Sequence, residues 1–340
     1  MKLKNKISFC IVSMNRLYHL KETLITNIEN NIAYENIEFV LLDYNSKDDI
    51  KSWVANKLET YIDKGILKFY STSVPKTFHR SHSRNVAMKL ATGDIVCNLD
   101  ADNYLGKDFA FFINYKFSFR ENMFLTSAFT DGSTGRVCMK KDDFLSVKGY
   151  DERMSGWGFE DDDLYNRLST LRLENIKFRN PEFVEFIWHD VAESFENDLN
   201  VTGVTEMYIC HQSAYESTLL FLFKDDSFKY GAITKPKMEE DAVNTELVED
   251  FWQTGTFSKQ QESIVLNFAD GSQKNSILTD TESLPNTENN TKFYLVKEEI
   301  FRGRLLLLLT SLENKKLYKN QRRTVEIVPN SINWGETTIT

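Results

Sequence analysis

Cysteine is scarce in this chain. The 340 residues include four cysteines, and no two of them stand at the spacing of a zinc site or of a small disulfide framework. Cys10 and Cys97 lie in short apolar runs, where a thiol behaves as a small buried hydrophobe. We therefore predict four buried free thiols, Cys10, Cys97, Cys138 and Cys210, which excludes a disulfide-stapled scaffold and suits a reducing cytoplasm.

An excess of basic residues and a long apolar run are also missing. Lys and Arg number 41 against 50 Asp and Glu, which gives a formal net charge of −9. A negative chain is a poor default binder of nucleic acid, so we expect no such partner. The apolar runs Ile7–Ser13 and Leu305–Leu309 fall far below the roughly 20 residues of a membrane span. We expect no signal peptide, no transmembrane segment and a cytoplasmic protein, with peripheral contact at the inner face of a membrane left open.

An alternation of strand and helix patterns fills the first 190 residues. Short apolar runs predict strands, and apolar residues three and four apart, as in Leu17–Asn30, predict helices. The predicted strands are Ile7–Val12, Ile37–Leu42, Ile66–Tyr70 and Asp94–Leu99, and the predicted helices are Leu17–Asn30, Asp48–Ile62 and Ser83–Leu90. This order predicts an α/β fold, a mostly parallel sheet flanked by helices, with ligands at the carboxyl ends of the strands.

The pattern weakens after residue 190. Met207–Phe223 is apolar enough to predict a helix, whereas Asp270–Thr291 is rich in Ser, Thr, Asn and Asp and predicts a mobile loop. The other segments noted are the polar stretch Lys235–Asp250, the strand-like Ser263–Phe268 and Lys292–Val296, and the apolar Ile300–Leu312. We expect a catalytic domain of residues 1–229 and a small accessory region of residues 230–340 to which no role is assigned.

Two carboxylates stand two residues apart after a predicted buried strand, in Leu99-Asp100-Ala101-Asp102-Asn103. Oxygen ligands of this kind suit Mg²⁺ or Mn²⁺. A diphosphate cannot lie against such carboxylates without a cation between them, especially in a negative protein. An isolated Asp-x-Asp is more often a solvated turn, but its place at a strand end favours a metal site.

Four consecutive acids, Glu160–Asp163, follow Gly156-Trp157-Gly158-Phe159. Acids at a helix start interact favourably with the helix dipole, and this alternative accounts for some of the four. The glycines allow close approach of backbone to a ligand, an indole is a good platform for a sugar face, and one carboxylate can serve as a general base. A lone histidine is more often structural than functional, but the imidazole of His189 in Trp188-His189-Asp190 can complete a metal shell begun by Asp102.

Taken in order, these motifs resemble family 2 glycosyltransferases with the GT-A fold. The resemblance runs from about residue 7 to residue 189 and rests on Ile11-Val12-Ser13-Met14-Asn15-Arg16, Leu42-Asp43-Tyr44-Asn45-Ser46, Ser83-Arg84-Asn85-Val86-Ala87 and Leu99-Asp100-Ala101-Asp102. The block Gly149-Tyr150-Asp151-Glu152, with Gly156 to Asp162, resembles β-1,4-galactosyltransferases and chondroitin polymerases more narrowly. Tyr44 and Phe159 depart from the pattern, since Asp, Asn or Gly is more usual at the first position and Gly at the second. These departures affect the uracil pocket and the choice of donor and acceptor.

The resemblance implies a UDP-sugar donor site. In it, Asp43 accepts a hydrogen bond from uracil and Arg84 lies near the pyrophosphate or nucleotide. Asp100 touches the ribose or the metal shell. The implied donor-binding residues are Ser13, Asn15, Arg16, Asp43, Arg84, Asp100 and Trp157.

The resemblance also implies the chemistry. Asp102, Asp100 and His189 ligate Mn²⁺ or Mg²⁺, Asp161 is the base, and Glu160 helps to hold the acceptor. The hypothesis is an inverting transfer to a hydroxyl of a glycan or lipid-linked glycan, in bacterial surface polysaccharide synthesis. The cue for inversion is the Asp after Glu160, where retaining relatives tend to carry Asn.

Two alternatives belong to other classes of protein. One is a non-catalytic carbohydrate-binding or scaffold protein on a decayed transferase fold; the presence of every acidic motif is an argument against it. The other is a nucleotidyltransferase, which shares the sheet architecture. That class usually begins with a Gly-rich, basic phosphate loop, and none occurs near Ile7–Arg16.

Overall fold

A computed structural model describes residues 5–129, 135–189, 193, 203–213, 216–234, 252–280, 292–323, 330 and 333–339. The chain divides into two compact units. The first comprises residues 1–190 together with 309–340, and the second comprises residues 191–308. The division after residue 190 and the return at residue 309 differ from the predicted boundary between residues 229 and 230. The last 32 residues thus belong to the same unit as the predicted catalytic motifs.

A seven-stranded sheet forms the centre of the first unit, in the order β3-β2-β1-β4-β6-β5-β7. Its strands are β1 (Ile7–Ser13), β2 (Ile37–Tyr44), β3 (Leu67–Thr72), β4 (Ile95–Asn98), β5 (Met123–Ser127), β6 (Val137–Lys140) and β7 (Glu174–Phe178). All neighbours are parallel except the pairs that β6 makes with β4 and β5. The predicted α/β fold with a mostly parallel sheet is confirmed.

Helices cover both faces of this sheet. They are α1 (Leu17–Asn31), α2 (Ile50–Lys57), α3 (Glu59–Asp63), α4 (Arg80–Leu90), α5 (Phe109–Phe119), α6 (Lys141–Ser146) and α7 (Glu160–Thr170). Successive side chains of a strand point to opposite faces. Phe9 and Ile11 therefore join one buried core with Leu20 of α1, whereas Cys10 joins a second core with Val86 of α4. The run predicted as one helix, Asp48–Ile62, is divided between α2 and α3.

The second unit is a closed barrel, with strand order β10-β11-β12-β13-β14-β8-β9. Its strands are β8 (Val204–His211), β9 (Glu216–Phe223), β10 (Ser227–Thr234), β11 (Gln253–Gln260), β12 (Ser263–Phe268), β13 (Gln273–Thr279) and β14 (Lys292–Leu295). Its core is a cluster of buried side chains that includes Leu220, Phe228, Leu266 and Phe293.

Two predictions for this barrel are wrong. Met207–Phe223 is not a helix, since β8 and β9 pair there as an antiparallel hairpin. Periodicity alone cannot separate a buried strand from a buried helix in a continuous apolar run. Gln273–Thr279 is a strand rather than part of a mobile loop. Residues 281–291 of that predicted loop and the polar stretch 235–250 lie outside the described residues.

Helix α8 (Glu299–Arg323) carries the chain back into the first unit. There Trp334 is buried and packs edge-on against Phe144, with 5.7 Å between the ring centroids. The Asn330 amide donates to the carbonyl oxygens of Lys148, at 2.7 Å, and Tyr150, at 2.6 Å. The C-terminal residues are thus part of the core that α4 and α7 share.

All four cysteines are buried and free, as predicted. Among the described helices, none is at once long and apolar enough to cross a membrane.

Candidate functional site

The parallel register of β1 and β2 aligns their carboxyl ends. Ser13 pairs with Asp43 at the last position of the β1–β2 ladder, and β4 lies on the other side of β1. Asp100 lies two residues beyond the end of β4. Three predicted site residues therefore lie at the same edge of the sheet, as expected for an open parallel sheet.

The end of β2 is anchored by a buried carboxylate. Asp43 is only 1% exposed; its Oδ1 accepts a hydrogen bond from the Ser46 backbone N–H at 2.8 Å, and its Oδ2 accepts one from Ser71 Oγ at 2.9 Å. Next to it, the buried Ser13 hydroxyl has no hydrogen-bond partner among the described residues. An unpaired polar atom in a buried position costs free energy unless a ligand or water satisfies it. This edge is therefore suited to a polar ligand.

The turn after β1 lies against the turn after β2. Asn15 has a left-handed backbone (φ 57°). Its N–H donates to Ser46 Oγ at 3.0 Å, and its side-chain oxygen accepts from the Lys47 N–H at 2.7 Å. Arg16 comes next and donates to the Tyr18 hydroxyl. The structure thus gathers the predicted nucleotide-pocket residues Ser13, Asn15 and Asp43, with Arg16 adjacent in the chain.

Asp102 and His189 are brought together by a short backbone pairing. The Ile187 N–H donates to the Asp102 carbonyl oxygen at 2.8 Å, and the Tyr104 N–H donates to the Glu185 carbonyl oxygen at 2.8 Å. This pairing places His189 Nε2 2.9 Å from Asp102 Oδ2. Both side chains are largely buried, with 22% and 16% of their areas exposed.

A buried arginine behind Asp102 was not predicted. Arg136 is 1% exposed and donates through Nη2 to Asn103 Oδ1 at 2.9 Å; the Asn103 amide in turn donates to Asp102 Oδ1 at 3.0 Å. Burial lowers the pKa of Arg136. Its Nε and Nη1 groups have no hydrogen-bond partner within the described ranges, although the guanidinium lies over the Phe109 ring. No sequence motif marks this position, because the contact joins residues 33 apart.

Arg84, on α4, faces three carboxylates. Its Nη2 lies 3.1 Å from Asp100 Oδ1, and its Nη1 lies 3.2 Å from Asp161 Oδ1 and 3.4 Å from Glu160 Oε1. The guanidinium also lies over the Tyr150 ring, 5.4 Å from its centroid. In this arrangement Arg84 organises the acids of both predicted motifs. The predicted contact of Arg84 with the nucleotide stays a prediction.

These charges shift each other's pKa. Burial, together with the nearby carboxylates of Glu160 and Asp100, raises the pKa of Asp161 to about 7, although Arg84 acts in the opposite direction. Burial also acts to raise the pKa of Asp100, but Arg84 outweighs it and lowers that pKa. The carboxyl groups of Asp100 and Asp161 contact the same guanidinium, but their pKa values are shifted in opposite directions. Such a difference is typical of acid–base sites.

The four consecutive acids have different surroundings. Glu160 is buried, and its Oε2 accepts from the Gly158 N–H at 2.9 Å. Asp163 is buried against Arg167, with oxygen–nitrogen distances of 2.7 and 2.8 Å, and is structural. Asp162 is exposed. Only Glu160 and Asp161 therefore face Arg84.

The glycines before these acids are required by packing. A Cβ on Gly156 would lie 2.5 Å from a Thr310 methyl, and one on Gly158 would lie 3.0 Å from Ser311 Oγ. Both contacts are with α8, so packing within the protein gives a reason for these glycines that does not depend on a ligand. Trp157 between them has 43% of its surface exposed.

The predicted metal ligands are only partly assembled. Asp102 and His189 are paired, but Asp100 is directed to Arg84, and across the described residues no group of three or more His, Cys, Asp and Glu is arranged to hold a metal ion. A carboxylate beside an imidazole nevertheless offers the donor atoms that Mn²⁺ accepts. The donor atoms of the pair Asp102–His189 fit a divalent cation.

Two family models match consecutive parts of the chain. Residues 8–111 match the model described as glycosyl transferase family 2, and residues 120–190 match the one described as the N-terminal domain of galactosyltransferase. Both models describe glycosyltransferases, in agreement with the predicted GT-A type of fold and the predicted class of enzyme. No curated protein sequence matches this chain.

Several solved structures are similar in part. A mannosyltransferase of Pyrobaculum calidifontis, solved with GDP-Man and Mn²⁺, is 17% identical, with a TM-score of 0.45 over 52% of this chain and 55% of that one. Residues 1–349 of S. aureus TarS, solved with UDP, are 16% identical, with a TM-score of 0.44 over 56% and 62%. The catalytic domain of Drosophila β1,4-galactosyltransferase 7, solved with xylobiose, is 13% identical, with a TM-score of 0.38 over 55% and 72%. The match therefore spans less than two thirds of the first two chains.

Proposed function

We propose that this chain is a metal-dependent, inverting glycosyltransferase that moves a sugar from a UDP-sugar to a hydroxyl of a glycan or lipid-linked glycan. The observation that carries the proposal is the Asp161 carboxyl at the start of α7. It is largely buried, held 3.2 Å from Arg84, and has a pKa raised to about 7. A general base is most effective when its pKa lies near the working pH.

Asp161 takes the proton from the acceptor hydroxyl as that oxygen attacks the anomeric carbon. Arg84 holds the carboxylate in one orientation, and it keeps Asp100 and Glu160 as partners once Asp161 is protonated. A single displacement inverts the anomeric centre and needs no covalent intermediate. The predicted role of Glu160 in holding the acceptor is retained, and its bond to the Gly158 N–H adds a second role in fixing the loop before α7.

The negative charge of the site supports the proposal of a cation near the diphosphate. One guanidinium, Arg84, faces three carboxylates, and Asp102 adds a fourth nearby in sequence. Asp102 and His189 would hold Mn²⁺ or Mg²⁺, with Asp100 close to the ribose or the metal shell. When bound, such an ion would supply Lewis-acid stabilisation of the departing diphosphate.

The nucleotide is assigned to the edge formed by β1 and β2. The Ser13 hydroxyl can donate a hydrogen bond to a pyrimidine, the Asp43 carboxylate can accept one from it, and Asn15 and Arg16 line the adjacent turn. Each carboxylate oxygen of Asp43 keeps further acceptor capacity beyond the hydrogen bond it already makes. These features support uracil as the base.

The setting in the cell is part of the proposal. Four buried free thiols are compatible with a reducing cytoplasm. We place the enzyme there, peripheral to the inner face of a bacterial membrane, in surface polysaccharide synthesis.

The proposal is tested first by ligand binding. Nucleotide sugars with Gal, GalNAc, Glc and GlcNAc are screened by thermal shift with and without Mn²⁺, since a ligand of the native state raises apparent stability. We expect a UDP-sugar to raise the melting temperature only with the metal. The anomeric configuration of the transfer product is then read by NMR, and retention would overturn inversion. Tight binding of a UDP-sugar without hydrolysis or transfer would instead favour the non-catalytic alternative.

A further inference from the structure

The loop Ser155–Phe159, here named the tryptophan loop, is held from behind by α8. The Asn314 side-chain amide donates to two carbonyl oxygens of this loop, that of Ser155 at 3.1 Å and that of Gly158 at 2.8 Å. Asn314 is 2% exposed. One buried amide thus joins the two ends of the loop.

A second residue of α8 fixes the middle of the loop. Thr310 Oγ lies 3.3 Å from both the backbone nitrogen and the carbonyl oxygen of Trp157. A hydroxyl can accept from the N–H and donate to the C=O at the same time. The backbone of Trp157 is therefore constrained on both sides while its indole stays exposed.

The close packing in this region explains the residues of the loop. Gly156 has no room for a Cβ against Thr310, and a Cβ on Gly158 would be tight against Ser311. Phe159 has a left-handed backbone (φ 65°), which is unfavourable for a bulky residue. Its ring lies 5.8 Å from that of Tyr318 on α8. This contact offsets the strain and gives a reason for Phe where related enzymes carry Gly.

We infer that Thr310 and Asn314 are positioning residues of the sugar-transfer site. They fix the tryptophan loop, and with it the Trp157 indole and the start of α7, on which Glu160 and Asp161 lie. The C-terminal segment, which lies beyond both family matches, thereby becomes part of the active site without supplying a catalytic group. This inference rests on the proposed function.

The residues assigned to the sugar-transfer step and those assigned to the nucleotide lie on different elements. The tryptophan loop leads into the general base, whereas the residues assigned to uracil are at the ends of β1 and β2. Loosening the loop should therefore weaken transfer and leave the affinity for UDP intact. A residue that served stability alone would not separate these two quantities.

The test uses the full chain labelled with 5-fluorotryptophan. The five tryptophans give five ¹⁹F resonances, and Trp157→Phe assigns that of Trp157. Asn314→Asp places a carboxylate against two carbonyl oxygens. We expect the Trp157 resonance to shift or broaden while the others stay, and the affinity for UDP with Mn²⁺ to change less than about two-fold. Misplacement of reacting groups typically costs about 10- to 100-fold, so kcat/KM for transfer should fall by that order.

Matched controls make the result specific. Asn320→Asp is the same substitution at an exposed position of α8 and should leave the resonance and transfer unchanged. If Asn314→Asp fails to fold, Thr310→Val is used instead, since it keeps the shape of the side chain but loses both hydrogen bonds to the Trp157 backbone. Thr310→Ser, which keeps the hydroxyl, should restore them. A wild-type Trp157 resonance and wild-type transfer in Asn314→Asp, or in Thr310→Val, would overturn the inference. A wild-type protein that transfers no sugar contradicts the proposed function instead, and the ¹⁹F spectra still report whether α8 orders the loop.

Discussion

Arg84 Nη1 lies 3.2 Å from Asp161 Oδ1, and this ion pair joins α4 to α7 through residues that are 77 positions apart in the chain. Through its other terminal nitrogen the same guanidinium reaches Asp100 after β4. The pair therefore connects the Asp-x-Asp turn with the start of α7. The state of Asp161 depends on Arg84 as well as on its own burial.

Replacing Asp161 by Asn tests the general base. The amide keeps the shape of the side chain but cannot accept the proton, so transfer should fall by about 10²–10⁴-fold. Affinity for UDP with Mn²⁺ should be unchanged, because the uracil contacts lie at β1 and β2. Turnover and isothermal titration with UDP measure the two effects. Asp162→Asn, at an exposed neighbouring position, is the matched control and should transfer normally. Normal transfer by Asp161→Asn would remove this residue from the mechanism and make Glu160 the next candidate.

The pKa of Asp161 predicts a pH dependence of stability. Its pKa is raised from 3.8 to about 7, so the folded state favours the protonated carboxyl. The contribution of the protonated Asp161 carboxyl to the free energy of unfolding is complete below about pH 4, and it is lost as the pH rises through about 7. Asp161→Asn should therefore melt above wild type at pH 8, and the difference should shrink towards pH 4. If Asp161 only caps a helix, its replacement should instead lower stability by about 1 kcal/mol at pH 8.

Replacing Arg84 by Gln should move the pH profile of transfer. The ionised Asp161 is the active form, so the rate falls as the pH drops through about 7 in the wild type. Arg84 lowers that pKa, and its loss should raise it and move the acid side of the profile to higher pH. Removing one partner of a buried ion pair also costs about 3–5 kcal/mol, so urea unfolding accompanies the kinetics. An unchanged profile in folded Arg84→Gln would contradict the coupling.

Removal of the metal should abolish transfer. EDTA should reduce activity to background, and Mn²⁺ or Mg²⁺ should restore it, because a diphosphate is repelled by these carboxylates in the absence of a cation. Asp102→Asn and His189→Ala should weaken UDP-sugar binding and transfer together. Asp63→Asn, an exposed acid on α3, serves as the control. Full activity in excess chelator would show that the Asp102–His189 pair has a structural role.

The sequence by itself determined the alternating sheet and the identity of most candidate residues. Its apolar runs at β1, β2 and β4 are buried on both sides, so the strands could be read from composition alone. Asp43 and Asp100 were placed at strand ends for the same reason. Local patterns sufficed because the parallel ladder that aligns these ends follows from the order of the elements.

Tertiary structure decided what depends on contacts between distant residues. The hairpin of β8 and β9 was mistaken for a helix, since barrel closure, not local periodicity, selects strands there. Arg136 behind Asn103, and the three carboxylates on Arg84, follow only from the packing of separate elements. The glycines beside Trp157 were attributed to a ligand, whereas α8 occupies the space that their Cβ atoms would need. The contact between Asn314 and Ser155 joins residues 159 positions apart, a separation at which sequence spacing carries no information about proximity.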